Sequence, residues 1–217
     1  MTLSHWLGWA GLSVAAYAAG SIPFGLLIGR LRGVDVRTVG SCNIGATNVF
    51  RTVGKRWGLL TFTLDAFKGF VPAFFFPRLL AQWTMAPTGR WAPLPGLLFM
   101  ALSLAGHTWP VWLHFRGGKG VATSAGALLG VAPLEMAIGL AVWALAFVLF
   151  RYVSLASLLA TAAVCVSAWI LESHEGVLLP LLLSLMGVLV VIRHRANIRR
   201  LLNGTEHRAT RQRERPS

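Results

Sequence analysis

Gly120–Phe150 reads GVATSAGALLGVAPLEMAIGLAVWALAFVLF, 31 residues with Glu135 as their one charge. As a single helix the stretch would measure about 46 Å, too long for a bilayer core of roughly 30 Å without heavy tilt. Its middle holds Gly130-Val131-Ala132-Pro133, a helix-breaking pattern, followed at once by an ionisable side chain that prefers water. The stretch therefore reads as two short helices that turn near residues 130–135.

The flanks say which way that turn faces. Residues 30–56 carry Arg30, Arg32, Arg37, Arg51, Lys55 and Arg56 against Asp35 alone, and from Arg193 onward there are eight arginines and two glutamates. Both segments are cytoplasmic by the positive-inside rule. Apolar spans are expected at 3–29, 57–77, 91–115, 153–171 and 176–192. Ala16-Tyr17-Ala18 could pass for a cleavage site, but no positive n-region precedes it, so a retained first helix is the expectation. A chain that starts outside and ends inside crosses an odd number of times. The fold class is thus all-α, a polytopic transmembrane helical bundle of seven helices, with six as the alternative and the 130–135 turn outside. Residues 1–204 are expected to form a single transmembrane catalytic domain, and 205–217 a basic, mobile cytoplasmic tail.

Composition agrees: of 217 residues, 55% are hydrophobic and 12% charged, with a mean hydropathy of +0.64. A soluble domain would carry roughly a quarter charged residues. The net charge of +13 reports topology and contact with anionic lipid headgroups. No nucleic acid partner is expected, because the basic residues are not interleaved with exposed aromatics. Cys42 and Cys165 form no metal-ligand spacing, so no metal site and no cofactor are expected.

Four polar clusters gather on the cytoplasmic side. Ser41-Cys42-Asn43-Ile44-Gly45-Ala46-Thr47-Asn48-Val49-Phe50-Arg51 is a small-residue stretch whose N–H groups, hydroxyls and amides could ring an anion, with Arg51 as a bidentate partner. Asp65 and Lys68 share a face inside the second span, where Asp65 is expected to hold Lys68 or another helix rather than to meet a ligand. His107 leads into Arg116-Gly117-Gly118-Lys119-Gly120 and a helix carrying Thr123. That run has the physics of a phosphate loop without the Walker A spacing. His194 and Asn197 share a face directly after the last span, and Asn203-Gly204 is a helix stop.

These motifs carry a resemblance. Gly20-Ser21-Ile22-Pro23-Phe24-Gly25, "SCNIGATNVFRT", "DAFKG", "GHTWPVWLHFRGGKGVAT" and "HRANIRRLLNGTE" occur in the order found in the bacterial acyl-phosphate:glycerol-3-phosphate acyltransferase family, and span residues 20–206. The resemblance implies an enzyme of the bacterial cytoplasmic (inner) membrane that makes lysophosphatidic acid from acyl phosphate and glycerol 3-phosphate. It implies catalytic roles for Ser41, Arg51, Lys119, His194 and Asn197. Substrate contacts are expected from Asn43, Thr47, Asn48, Arg56, Lys68, His107, Gly117, Gly118, Gly120 and Thr123, with Asp65 and Glu206 as supporting groups. Where the family has glycine this chain has Cys42, so a requirement for positive φ there would be a strain.

No histidine here has an acid five positions later, which excludes the His-Asp pair of the better-known membrane acyltransferases. An acyl phosphate is already activated, so direct attack by the glycerol hydroxyl is expected, without an acyl-enzyme. An anion or phosphate channel is the alternative, but it calls for polar residues deep in several spans. Two aspartates in the chain are too few for a metal-dependent phosphatidyltransferase. The oligomeric state stays open, with a monomer as the working expectation.

Overall fold

Pro23 decides where the first apolar segment breaks. In a computed structural model, which describes residues 3–83 and 92–209, α1 (Leu3–Ser21) stops before Ile22-Pro23 and α2 (Phe24–Leu31) starts after it. Proline has no N–H to donate and pushes the preceding residue out of helical backbone. α3 (Ala46–Thr52) is a short helix in the basic loop. α4 (Lys55–Trp83) carries Pro72 and Pro77 in its interior and runs past Pro77, where the span was expected to end. α5 (Leu94–Thr108) is followed by a 3₁₀ turn at Val111–Leu113.

The decisive stretch does divide. α6 (Val121–Val131) and α7 (Pro133–Phe150) are separated at Ala132, whose backbone is non-helical, and Pro133 occupies the first helical turn, where its missing N–H costs nothing. α8 (Val153–Leu171) has its expected bounds, and α9 (Leu178–Arg193) is bent by 59° from α10 (Arg195–Leu202) at His194. The described part of the basic tail is tied down, against the expectation of mobility from residue 205: the Ala209 N–H donates to the Arg151 carbonyl at 2.8 Å, and Glu206 is bonded as set out below. Thr210–Ser217 lies outside the described residues.

Small residues let the helices cross closely. A Cβ on Gly20 would lie 2.1 Å from the Ser103 carbonyl oxygen, and one on Gly106 2.2 Å from that of Tyr17, so α1 and α5 meet backbone to backbone. Gly69 and Gly126 do the same for α4 and α6, against Thr123 and Ala66. The apolar core between them comprises Ala73, Leu97, Met100, Ala127, Leu128, Ala132, Val164, Ala168, Leu179 and Leu183. By contrast α7 buries only Glu135, Gly139 and Ala146 and presents Leu140, Leu145, Val148 and Leu149 outward, a surface suited to lipid rather than water.

Among the described residues five helices are long and apolar enough to cross a membrane: His5–Leu31, Lys55–Gln82, Leu94–Leu113, Pro133–Phe150 and Val153–Leu171. The bent α9–α10 pair makes six. α6, with 11 residues and a length of about 16 Å, falls short of a crossing by itself.

Candidate active site

The glycine-rich turn before α6 is built from below by α5. The N–H groups of Gly117 and Gly118 donate to the carbonyls of Thr108 and His107, each at 3.1 Å. From the other side Arg193, the last residue of α9, donates Nη2 to the Gly117 carbonyl at 2.9 Å and Nε to that of Gly118 at 3.1 Å. A Cβ on Gly118 would stand 2.2 Å from Nε2 of His107, and one on Gly117 2.1 Å from the His107 carbonyl oxygen. Gly120 has φ +82°, the left-handed region. This corrects one expectation. Gly117 and Gly118 do not offer their N–H groups to an oxyanion, since both are committed within the loop. What remains for an anion is Lys119 and the first turn of α6, whose leading N–H groups have no acceptors within the helix. Thr123 sits in that turn, fully buried, with an unpartnered Oγ1.

Lys119 reaches across to α10. Its Nζ donates to Oδ1 of Asn197, whose Nδ2 donates to Oε1 of Glu206 at 2.7 Å. Ser154 on α8 donates to the same oxygen at 2.8 Å, and Arg200 Nε to Oε2 at 2.7 Å. Burial pushes the Glu206 carboxyl upward, but these hydrogen bonds outweigh it and hold it below the usual carboxylate range. Lys119 is lowered to about 8, first by burial and then by the like charges of Arg200, Arg51 and Arg193, with Glu206 opposing them. Those charges place α3, α6, α9 and α10 around one centre. His194, at the α9–α10 bend, is buried and has Nδ1 2.8 Å from the Val190 carbonyl. A carbonyl only accepts, so Nδ1 carries the proton and Nε2 keeps its lone pair for another partner.

The first motif folds around Asn48. Its Nδ2 donates to the carbonyls of Val36 (2.8 Å), Asn43 (2.9 Å) and Val39 (3.2 Å), and its Oδ1 accepts the Ser41 N–H at 2.9 Å. Asn48 was expected to contact substrate; the structure commits its amide to shaping the loop. Asn43 likewise accepts the Gly45 N–H through Oδ1 at 2.9 Å. Ser41 is left exposed at the loop surface, Thr47 half-buried beside it, and Cys42 adopts φ 55°, so the side chain stands at a left-handed position as feared. Arg51 is exposed enough to reach solvent, yet burial beside Arg200 lowers its pKa. Arg56 is exposed on the first turn of α4.

Lys68 and His107 are also relocated. Lys68 Nζ lies 2.7 Å from Asp65 Oδ1 and donates to the Ile22 carbonyl at 2.7 Å, which caps the α1–α2 break. Asp65 therefore pairs with Lys68, as anticipated, and the Lys68 ammonium is held at the α1–α2 break. His107 is buried under the glycine turn, 3.8 Å from Asp65. Of Lys68 and His107, only His107 packs against the glycine turn, and its Nδ1 has no hydrogen-bond partner among the described residues. Arg193 and Ser154 escaped sequence reading, the first hidden among arginines counted for topology, the second within an apolar span. For Arg193 the adjacency to His194 was the available signal.

Between the first motif and the glycine turn opens a cleft of about 790 Å³, lined among others by Arg37, Cys42, His114, Arg116, Gly117 and Arg193. His114 and Phe115 at its rim are both left-handed, with φ 51° and 61°. Such backbone persists where the surroundings enforce it. Lys119 does not line this basic cleft, which shares Gly117 and Arg193 with the turn that carries it; the two adjoin at one end of a bundle of apolar helices, as suits a membrane-embedded protein that handles small anions. The chain belongs to the glycerol-3-phosphate acyltransferase family, whose model matches residues 10–204. A glycerol-3-phosphate acyltransferase of Geotalea daltonii is 43% identical over 196 residues, covering 90% of this chain and 95% of that protein. One of Aquifex aeolicus is 42% identical over 199 residues, covering 91% and 97%. A crystal structure of PlsY (YgiH), an integral membrane glycerol 3-phosphate acyltransferase, in its glycerol 3-phosphate form superposes with a TM-score of 0.82 at 40% identity, covering 93% of this chain and 96% of that one. Its lysophosphatidic acid form gives 0.79 at 39%, covering 93% and 95%.

Proposed function

We propose that the protein transfers a fatty acyl group from acyl phosphate to the sn-1 hydroxyl of glycerol 3-phosphate, releasing lysophosphatidic acid and phosphate. The observation that carries this reading is the convergence of Lys119, Arg51, Arg193 and Arg200 on one centre whose carboxylate among the described residues, Glu206, already accepts three hydrogen bonds from the protein. Two phosphate-bearing substrates meeting in one site need that excess of positive charge. A channel gains nothing from a lysine anchored to a rigid turn, and the family relationship favours the enzyme.

In the reaction the hydroxyl oxygen bonds to the acyl carbon, the bond from that carbon to the phosphate oxygen breaks, and the hydroxyl proton leaves with the phosphate or through Nε2 of His194. Lys119, its Nζ oriented by Asn197, and Arg51 hold phosphate oxygens, while the Ser41 hydroxyl orients the acceptor. No acyl-enzyme forms. The basic end faces the cytoplasm of a bacterial inner membrane, the N-terminus lies outside, and α6 with its neighbours brings the crossings to seven. The whole bundle through residue 204 acts as one catalytic domain without a metal.

Purified protein in lipid, given glycerol 3-phosphate with acyl phosphate, acyl-CoA or acyl carrier protein thioester, tests the donor. Lysophosphatidate from acyl phosphate alone, lost in Lys119→Ala, is the expected result; product from a thioester overturns the donor. Rapid-quench mass spectrometry with acyl phosphate alone tests the mechanism. An acyl group on Ser41 would rule out direct transfer.

A further inference from the structure

α6, α8 and α9 each have one end at the Lys119–Glu206 centre and the other at a second cavity. Along α8 the two are separated by about 27 Å, from Ser154, which bonds Glu206, to Glu172. This second cavity has a volume of about 560 Å³, within the range of small-molecule sites, and is lined by Pro93, Ala132, Leu134, Leu178 and Leu179 together with Glu135, Glu172 and Glu175. The whole chain contains seven acidic residues against 20 lysines and arginines, yet three of the seven border this one cavity. Among the described lining residues there is no lysine, arginine or histidine.

Glu135 is the unusual member. It is 2% exposed, and its Oε1 is buried with no hydrogen-bond partner. A carboxylate in the first turn of α7 gains something from the helix dipole, which would explain an acid at this position. It does not explain an oxygen left without a donor, which costs free energy in every state of the protein that lacks one. Glu172 and Glu175, on the α8–α9 connection, also line it; the Glu175 side chain is largely exposed, with Nε2 of His174 3.7 Å from its Oε1.

We propose that this cavity is a binding site for a primary ammonium group, with a free linear polyamine as the occupant. An ammonium brings three N–H donors and a positive charge to Glu135 Oε1, and methylene spacers suit the apolar stretches between the carboxylates. A single chelated metal ion fits less well, since among the described residues no three acidic or histidine side chains converge closely enough to hold one. The ethanolamine headgroup of a phospholipid offers the same ammonium, but brings a phosphate for which the described lining has no cation.

The test is titration calorimetry with spermidine on the full-length protein in phosphatidylcholine nanodiscs. Saturable binding is expected, weakened about tenfold by Glu135→Gln, which keeps the side chain's shape. Weakening is also expected from Glu172→Gln/Glu175→Gln, whose sites, half-buried at Glu172 and exposed at Glu175, cannot disturb folding as a buried change might. Loss of the spermidine signal in phosphatidylethanolamine nanodiscs would keep the ammonium site and assign its occupant to the lipid. Absence of spermidine binding in phosphatidylcholine, equal binding by wild type and both variants, or complete competition by an equal concentration of Mg²⁺ would overturn the proposal.

Discussion

Replacing Gly118 by alanine should disable the site with the smallest possible chemical change. The added Cβ would stand 2.2 Å from Nε2, 2.9 Å from Cε1 and 3.1 Å from Cδ2 of His107. The first is about 1.2 Å short of ordinary contact, and the ring cannot retreat because it is buried against Asp65. The turn must move instead, against the two Arg193 hydrogen bonds and the backbone bonds to Thr108 and His107. Overpacking of this kind costs about 1–3 kcal/mol of stability. Lys119 is the next residue, and displacing a positioning group by about 1 Å costs on the order of 100-fold in rate. Lysophosphatidate formation by the purified variant should therefore fall about 100-fold while the protein remains folded. Gly11→Ala, at a position with nothing within 4 Å of the added carbon, is the control and should retain full activity. A Gly118→Ala/His107→Ala double variant should recover part of the loss, because the obstructing ring is gone. Wild-type activity in Gly118→Ala would refute the seating of this turn on His107.

Lys119 at about 8 predicts a pH limb: the group is a cation below that pH and neutral above it, so kcat/KM for glycerol 3-phosphate should decline as pH rises through about 8, and Lys119→Arg should remove the decline. Arg193→Lys keeps the charge but cannot span two carbonyls, so kcat should drop about tenfold with KM little changed, as measured by steady-state kinetics. Asp65→Ala leaves Lys68 buried without its carboxylate and should lower unfolding stability by about 3–5 kcal/mol, whereas Asp65→Leu/Lys68→Met should restore most of it; equal melting temperatures for the two would sink this reading. Cys42→Gly relieves a left-handed non-glycine residue and should stabilise the protein by about 1 kcal/mol in the same melts.

Much of the fold was written in local pattern. Periodicity has no part in recognising a span, only length and the absence of charge, so α8 was found to the residue and the break in 120–150 followed from Gly130 and Pro133. The run of α4 through Pro77 was not legible, because a proline's missing N–H and steric demand are absorbed by neighbours that a sequence does not display. In the site, Lys119 and Asn197 stand out in the sequence because charged and amide groups beside a membrane span need a reason to be there, whereas Glu206 is implied only by the family resemblance. That they form one hydrogen-bonded chain was not foreseen, for Lys119 and Asn197 are 78 positions apart.

The sequence by itself therefore determined that the chain is helical and membrane-embedded, which residues carry charge, and where the polar motifs lie along it. Only the tertiary structure decided which of those residues remain available for a ligand. Asn48, Lys68 and the N–H groups of Gly117 and Gly118 all looked like ligand contacts, and each is hydrogen-bonded to a partner elsewhere in the chain. Residue type states what a group can donate or accept, and the fold's crossings determine whether another part of the protein has already taken it.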